Sequence, residues 1–189
     1  DYTAKTGTFT CSVTQANGST IIKDGSTDVT NKSGSTAYPG TKSLTITCAG
    51  GATSNITATS GTTSVATTSV SGTSVTLTPK ATGSSKITVN CPATTNYKAS
   101  SATYDWTVSN GTISVSKSDK SKTYDGSALT CNGLTVNSPS GTTIEYSTDG
   151  GSTWSTTVPS RTNAGTTTVN YRVSKTYYTT ATGSFSCKV

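Results

Sequence analysis

Few residues in this chain can do chemistry, and the types that are missing narrow its function. There is no histidine. The imidazole that serves as general base in Ser-His-Asp and Cys-His arrangements is therefore absent. Glu145 is the only glutamate. It lies between Ile144 and Tyr146 in an alternating stretch that turns its carboxylate outward, as a solvated strand residue and not a catalytic acid. Asp24, Asp28 and Asp149 are too dispersed to build an oxygen cage for calcium. With no histidine and no Cys-x-x-Cys spacing, zinc has no ligand set. A Lys–Asn isopeptide crosslink needs its two side chains next to a buried acid. Lys117, Asn170 and Glu145 are the nearest set, and their outward facing argues against it. The Asn-x-Ser/Thr triplets at Asn17, Asn31, Asn55 and Asn110 are about as frequent as this composition yields by chance. The expectation is a protein that is not an enzyme and takes no cofactor and no metal.

One motif calls for a separate test. Ser147-Thr-Asp-Gly-Gly-Ser-Thr-Trp154 fits Ser-x-Asp-x-Gly-x-Thr-Trp, the Asp-box found in sialidases. The physical content of that pattern is a hairpin turn. Asp149 bonds turn amides, Gly150 and Gly151 take positive φ, and Trp154 packs beneath. Those enzymes resemble propellers with several copies and an arginine triad. This chain has one copy and two arginines, Arg161 and Arg172, so the motif reads as a turn and sialidase chemistry is rejected.

The net charge is +6, but the positive residues are scattered, and only Lys117, Lys120 and Lys122 cluster. No aromatics interleave with them to stack on bases, so the reading is a solvated surface and no nucleic acid partner. No segment approaches the roughly 20 apolar residues that span a bilayer, and none has helical periodicity, so no membrane insertion is expected. The chain contains no methionine and no leader, which suggests a processed or excised piece.

Alternation positions the residues that remain. Roughly two residues in five are Ser or Thr, a bias towards β structure and short turns. Leu44, Ile46 and Cys48 share one face. Strands are expected around Ile56, Val65-Ala66, Val75-Leu77, Ile87-Val89-Cys91 and Tyr104-Trp106-Val108, punctuated by Gly50-Gly51, Gly61, Gly72 and Gly83 in the rhythm of a β-sandwich. A second set follows from Asn110-Gly111: Ile113-Val115, Leu129-Cys131, Leu134-Val136, Ile144-Tyr146, Val158, Val169-Tyr171-Val173 and Phe185-Cys187-Val189. Residues 14 to 37 read as a loop or linker plus a first edge strand at Ile21-Ile22. Landmarks correspond between the sets. Tyr38-Pro39-Gly40 before Cys48 matches Tyr124-Asp125-Gly126 before Cys131, and Thr88-Val89-Asn90-Cys91 matches Thr168-Val169-Asn170-Tyr171.

The two ends of the chain also match. Asp1-Tyr-Thr-Ala-Lys-Thr-Gly-Thr-Phe-Thr-Cys-Ser-Val13 nearly repeats Tyr177-Tyr-Thr-Thr-Ala-Thr-Gly-Ser-Phe-Ser-Cys-Lys-Val189. Asn96 to Val108 is a third, looser copy. Residues 1–13 therefore read as the closing strand of a preceding module, either orphaned or donated to another subunit, with Tyr2, Phe9, Cys11 and Val13 as its contact residues. Residues 14–109 and 110–189 are then two β-sandwich modules cut from a longer tandem array.

These residues carry a family resemblance. Thr123 to Ala128, Ile144 to Trp154 and Asn163 to Val173 resemble the YDG-type bacterial immunoglobulin-like repeats. Residues 64 to 91 look like the group-2 bacterial Ig-like domains, although Pro39 stands where the YDG triplet has its aspartate. The resemblance implies tandem immunoglobulin-like β-sandwiches in an all-β chain. It also implies a structural role as spacer or assembly unit of an extracellular fibre, a bacterial surface protein or a phage virion. Its partners would be neighbouring repeats or subunits of the same protein. The alternative is an adhesin module that binds a glycan or host surface. Tyr177 and Tyr178, the adjacent aromatic pair, are the possible ligand contact, with alternation placing one of them outside.

All five cysteines fall on the inward parity of their strands. Cys48 and Cys131 hold the same early-strand position in the two modules. Cys91 aligns with Tyr171, and Cys187 with Trp106. That pattern favours Cys48–Cys91 and Cys131–Cys187 bridges, with buried thiols as the alternative, and leaves Cys11 for a partner elsewhere. Bridges would mean maturation outside a reducing cytosol.

Overall fold

A computed structural model describes residues 1–189, which are built almost wholly of β-strands. They divide into two compact units, unit 1 of residues 1–36 and 41–107 and unit 2 of residues 37–40 and 108–189.

Unit 1 has two sheets. β1 (Thr20–Asp24), β2 (Thr27–Asp28), β4 (Lys42–Cys48), β6 (Ala66–Ser71) and β7 (Ser74–Pro79) form the first, in the order β2-β1-β4-β7-β6. β3 (Lys32–Ala37), β5 (Thr57–Ser60), β8 (Gly83–Cys91) and β9 (Ser100–Ser109) form the second, in the order β3-β9-β8-β5. Period-2 alternation sends one row of each sheet inward. Ile22, Leu44, Ile46, Val75 and Leu77 are buried from the first, and Ile87, Val89, Tyr104 and Trp106 from the second. The pairs Ile22↔Ile46 and Leu44↔Val75 keep that register. A one-residue slip would turn the whole apolar row to solvent. The two-residue hairpin at Gly72-Thr73 holds β6 against β7, with Gly72 at φ 57 as such a turn requires. Cys48 on β4 is bonded to Cys91 on β8, so the disulfide ties one sheet to the other.

The stretch from 14 to 37 is more structured than its composition implies. β1 is no edge strand: it lies between β2 and β4, with Ile22 fully buried. Lys32–Ala37, where the composition implies a loop, is β3. Its sequence has no apolar alternation, and tertiary contacts hold it in place. The Trp106 indole N–H donates to Thr36 Oγ1 at 3.1 Å. A Cβ on Gly34 would come within 2.0 Å of the Tyr104 hydroxyl, so only glycine fits over that ring.

Unit 2 contains β10 (Gly111–Thr112), β11 (Ser114–Lys117), β12 (Lys120–Ser121), β13 (Leu129–Thr130) and β14 (Leu134–Ser138). It continues with β15 (Thr143–Ser147), β16 (Ser160–Arg161), β17 (Thr166–Ser174), β18 (Tyr178–Thr179) and β19 (Ala181–Lys188). The main sheet runs β12-β19-β17-β15, and β11-β14, β13-β16 and β10-β18 form short pairs. Ile113, Cys131, Tyr146, Val169, Tyr171, Val173, Phe185 and Cys187 make one core, against which Val115, Leu129, Leu134 and Val136 pack. Cys131, one residue past β13, is bonded to Cys187 on β19 and so joins the β13-β16 pair to the main sheet.

Three expectations need correction here. No strand forms at Val158, which is exposed. β16 starts after Pro159, which lacks an N–H and contributes only its carbonyl, to the Cys131 amide at 2.8 Å. The boundary near residue 110 also shifts, because Val108 and the Ala37–Gly40 segment cluster with unit 2. The Tyr38 amide donates to the Ser109 carbonyl at 2.9 Å, and its ring packs on Tyr177 and Tyr178. Lastly, Cys11 does not face a core. Residues 1–15 form no strand, and Cys11 is an exposed free cysteine.

The disulfides close loops of 43 and 56 residues. Loops of that length restrict the unfolded chain by about 4 kcal/mol each. The double variants Cys48→Ala/Cys91→Ala and Cys131→Ala/Cys187→Ala should each lower the unfolding free energy of the affected unit by about that amount in urea titration. Unchanged midpoints would show that packing alone holds the sheets together.

Candidate functional site

The densest polar network in the chain is built around the Ser147-to-Trp154 turn, between β15 and the residues that return to it. Ser155 comes back onto Tyr146, with N–H···O bonds of 2.7 and 2.9 Å in the two directions. Within the loop the Asp149 carboxylate accepts from Ser147 Oγ at 2.7 Å, from the Thr153 amide at 3.0 Å and from Thr153 Oγ1 at 2.6 Å. Ser147 Oγ in turn accepts from the Gly151 amide at 2.8 Å. Gly150 and Gly151 have φ of 75° and 95°, where a side chain would be strained. The Trp154 indole N–H donates to the Gly151 carbonyl at 3.0 Å. These are the turn features expected from the motif.

A second layer locks the tryptophan to the sheet. The Arg172 guanidinium lies 4.5 Å from the centre of the Trp154 ring. Its Nε and Nη2 donate to the two oxygens of Glu145 at 2.6 and 3.0 Å. Glu145 and Arg172 sit directly opposite one another on β15 and β17, so cross-strand register creates this planar, two-bond pair. Glu145 faces outward, as alternation requires, but is ion-paired there and not simply solvated. The Arg172 hydrogen bonds hold its carboxyl below the usual range, and the arginine is raised in return. A carboxylate held ionised by an arginine has no proton to give at neutral pH. Lys117 Nζ is also committed, donating to the Ser184 carbonyl at 2.8 Å, so Lys117, Asn170 and Glu145 do not assemble as a crosslinking set.

The other acids are used in the same way. Asp28 accepts from the Thr30 amide, Asp119 from the Ser186 amide, and Asp125 from Ser127 and Lys122. These hydrogen bonds lower the pKa of each of the three carboxyls. Lys42 pairs with Asp24. No three His, Cys, Asp or Glu side chains converge as a metal-binding group.

The second candidate surface is aromatic. Tyr177 and Tyr178 stand with Tyr38, whose ring centre is 5.1 Å from Tyr177 and 5.6 Å from Tyr178. Lys175 Nζ lies 5.9 Å from the Tyr178 ring. Tyr177 has φ 68°, which breaks the strand and leaves its ring 36% exposed, while Tyr178 is half-buried in β18. Sequence alternation finds the pair but misses Tyr38, which lies far away in the chain and is brought in by the Ser109 hydrogen bond. A shallow cleft of about 380 Å³ beside Trp154 is lined by Gly150, Gly151, Asn170, Tyr171 and Thr182, and a second beside the same tryptophan by Tyr146, Ser147, Val158 and Pro159.

The chain is thus an all-β protein of two disulfide-bonded units. Its two disulfides belong to an oxidising environment, and no helix is long and apolar enough to cross a membrane. No family model matches the chain, and no curated protein matches its sequence.

Turn hydrogen bonds hold the Asp149 carboxyl far below the ordinary aspartate range. A depressed folded pKa stabilises the fold above the unfolded value, near about 4, and the contribution is lost as pH falls through the folded value. Asp149→Ala should lower the melting temperature of unit 2 at neutral pH and flatten its decline below about pH 4. An Asp149→Ala melting curve that overlays the parent from neutral to acid pH would show that the turn does not depend on this carboxylate.

Proposed function

We propose that this chain is a non-enzymatic structural segment whose two units are tandem immunoglobulin-like sandwiches. They serve as spacer and assembly modules of an extracellular fibre, surface protein or phage appendage. The observation that carries this reading is how the reactive side chains are used. Four of the five cysteines form bridges, Asp28, Asp125 and Asp149 brace turns, and the single glutamate is clamped by an arginine over a tryptophan. None is left poised in a cleft, where a catalytic group would sit. The landmarks shared with YDG-type and group-2 bacterial Ig-like repeats support the same reading, as does an outer surface of strands rich in Ser and Thr.

A spacer must bear load, and disulfides between sheets shorten the length that force can release. Pulled from its termini, the chain should show two separate unfolding events. Reduction should lengthen them by about 150 Å and about 200 Å, the extended lengths of the 43- and 56-residue loops. Smooth extension at low force without discrete events would overturn the spacer role.

The second reading is glycan or host-surface binding, favoured by the exposed ring of Tyr177 beside Tyr38 and Tyr178. On a glycan array the full chain should give no signal above background. A signal that disappears in Tyr177→Ala would instead establish an adhesin site on the aromatic cluster.

A further inference from the structure

Residues 1–13 have no partner within the chain. Tyr2, Phe9 and Val13 are 107%, 92% and 94% exposed, and Cys11 is the only free cysteine. The segment they nearly copy, 177–189, shows what such residues do when they are partnered.

Four identities, Gly7, Phe9, Cys11 and Val13, fall on alternate positions of one strand face, while Thr3 and Thr6 repeat the exposed Thr179 and Thr182. Gly7 matches Gly183, where an added Cβ would come 2.4 Å from the Tyr171 hydroxyl. Phe9 matches Phe185, buried and stacked 6.5 Å from Tyr171. Cys11 matches Cys187, bonded to Cys131. Val13 matches Val189, whose amide and carbonyl both bond Gly165. The differences fall on positions that are not fully buried, and one of them, Lys5, stands for Ala181, which is half-buried and packs against the core. The kept Gly-Phe-Cys-Val row is what a closing strand needs to face a core of the unit 2 plan.

Chain register supplies an independent observation. After Val108, at the end of the looser copy, the chain reaches Gly111, which pairs in parallel with Tyr178 and donates its amide to the Tyr177 carbonyl at 2.9 Å. After Val13 the chain reaches Ala16, at the same offset in sequence. Ala16 pairs in parallel with Tyr97 and donates to the Asn96 carbonyl at 2.8 Å. Asn96 and Tyr97 hold the places in their copy that Tyr177 and Tyr178 hold in theirs. Residues 1–13 therefore lead into unit 1 as the looser copy leads into unit 2.

We infer that residues 1–13 are the closing strand of a further sandwich of the unit 2 plan, lying before unit 1 in the same polypeptide, and that Cys11 is bonded there to the counterpart of Cys131. The two thiols lose two protons and two electrons to a disulfide oxidant, which is reduced to its dithiol, as for the two bridges already present. A second copy of this chain is the poorer partner. Its own β19 fills the place, and its Cys131 is already bonded. The inference extends the modular reading to a named partner and rests on it.

The direct test supplies the missing partner. A copy of residues 108–176 is placed immediately before Asp1 of the full chain, so that Asp1 takes the place of Tyr177. Cys11 should then resist alkylation and appear in a non-reducing tryptic map bonded to the added Cys131. The same fusion carrying Gly7→Val should leave Cys11 alkylated. Cys11 alkylating as readily in the fusion as in the parent would overturn the inference, provided the added copy folds.

Should that copy not fold, the strand is tested in place. Tyr177→Asp, Thr180→Ala, Ala181→Lys, Ser184→Thr, Ser186→Thr and Lys188→Ser together rewrite 177–189 as 1–13. Cys131–Cys187 should form as fully as in the parent, and a free Cys187 thiol would refute the inference. Light scattering on the unmodified chain should give the mass of one chain. Polymers that vanish when 1–13 are deleted would overturn the inference in favour of a second copy. Failure of the graft would leave the spacer reading, tested separately by force, in place.

Discussion

Cys48–Cys91 joins the two sheets of unit 1, Cys131–Cys187 ties the β13-β16 pair to the main sheet of unit 2, and the rest of each unit depends on that constraint. Only 30% of the residues are hydrophobic, and the inward rows are single lines of Val, Ile, Leu and a few aromatics. Such a core is thin against the conformational entropy of ordering so many Ser and Thr residues. A covalent link between layers removes much of the unfolded chain's freedom and lets a small core suffice. Large buried rings stand at the positions equivalent to two of the bridged cysteines. Trp106 holds in unit 1 the place that Cys187 takes in unit 2, and Tyr171 holds in unit 2 that of Cys91. Each site therefore takes either half a disulfide or a large ring.

The same economy governs the polar groups. Short turns leave amides without strand partners, and a buried or half-buried amide must be satisfied. Asp28, Asp125 and Asp149 each accept from such an amide, and Asp119 accepts from the Ser186 amide on β19. Their hydrogen bonds keep them ionised, which makes them effective braces and poor proton donors. The Glu145–Arg172 pair extends this bracing across strands and onto Trp154. A surface organised in this way resists unfolding at its turns while presenting mostly hydroxyl groups to water.

Much of this could be read directly from the residues. The strands around Leu44-Ile46, Ile87-Val89, Tyr104-Trp106 and Val169-Tyr171 follow from alternation, because the period of a strand is also the period of burial. The disulfide pairing followed from comparing equivalent positions in the two halves, and the Asp-box turn from residue types that each have one conformational use. What failed to show was β3, whose Lys-Ser-Gly-Ser-Thr-Ala sequence carries no apolar period. Tyr38 was also missed as a member of the aromatic cluster, as was the shift of residues 37–40 and 108 into unit 2.

The sequence by itself determined the local and the repetitive: which residues alternate, which turns need glycine, which cysteines are equivalent, and that residues 1–13 copy a closing strand. Each of these depends on near neighbours or on comparing one stretch with another. Only the tertiary structure decided the rest. β3 is a strand because β9 offers it hydrogen bonds and Gly34, with no Cβ, leaves room for the Tyr104 ring. Glu145 is ion-paired because register sets Arg172 opposite it. Cys11 is exposed because alternation states which face a residue would present, while burial requires a second surface to cover that face.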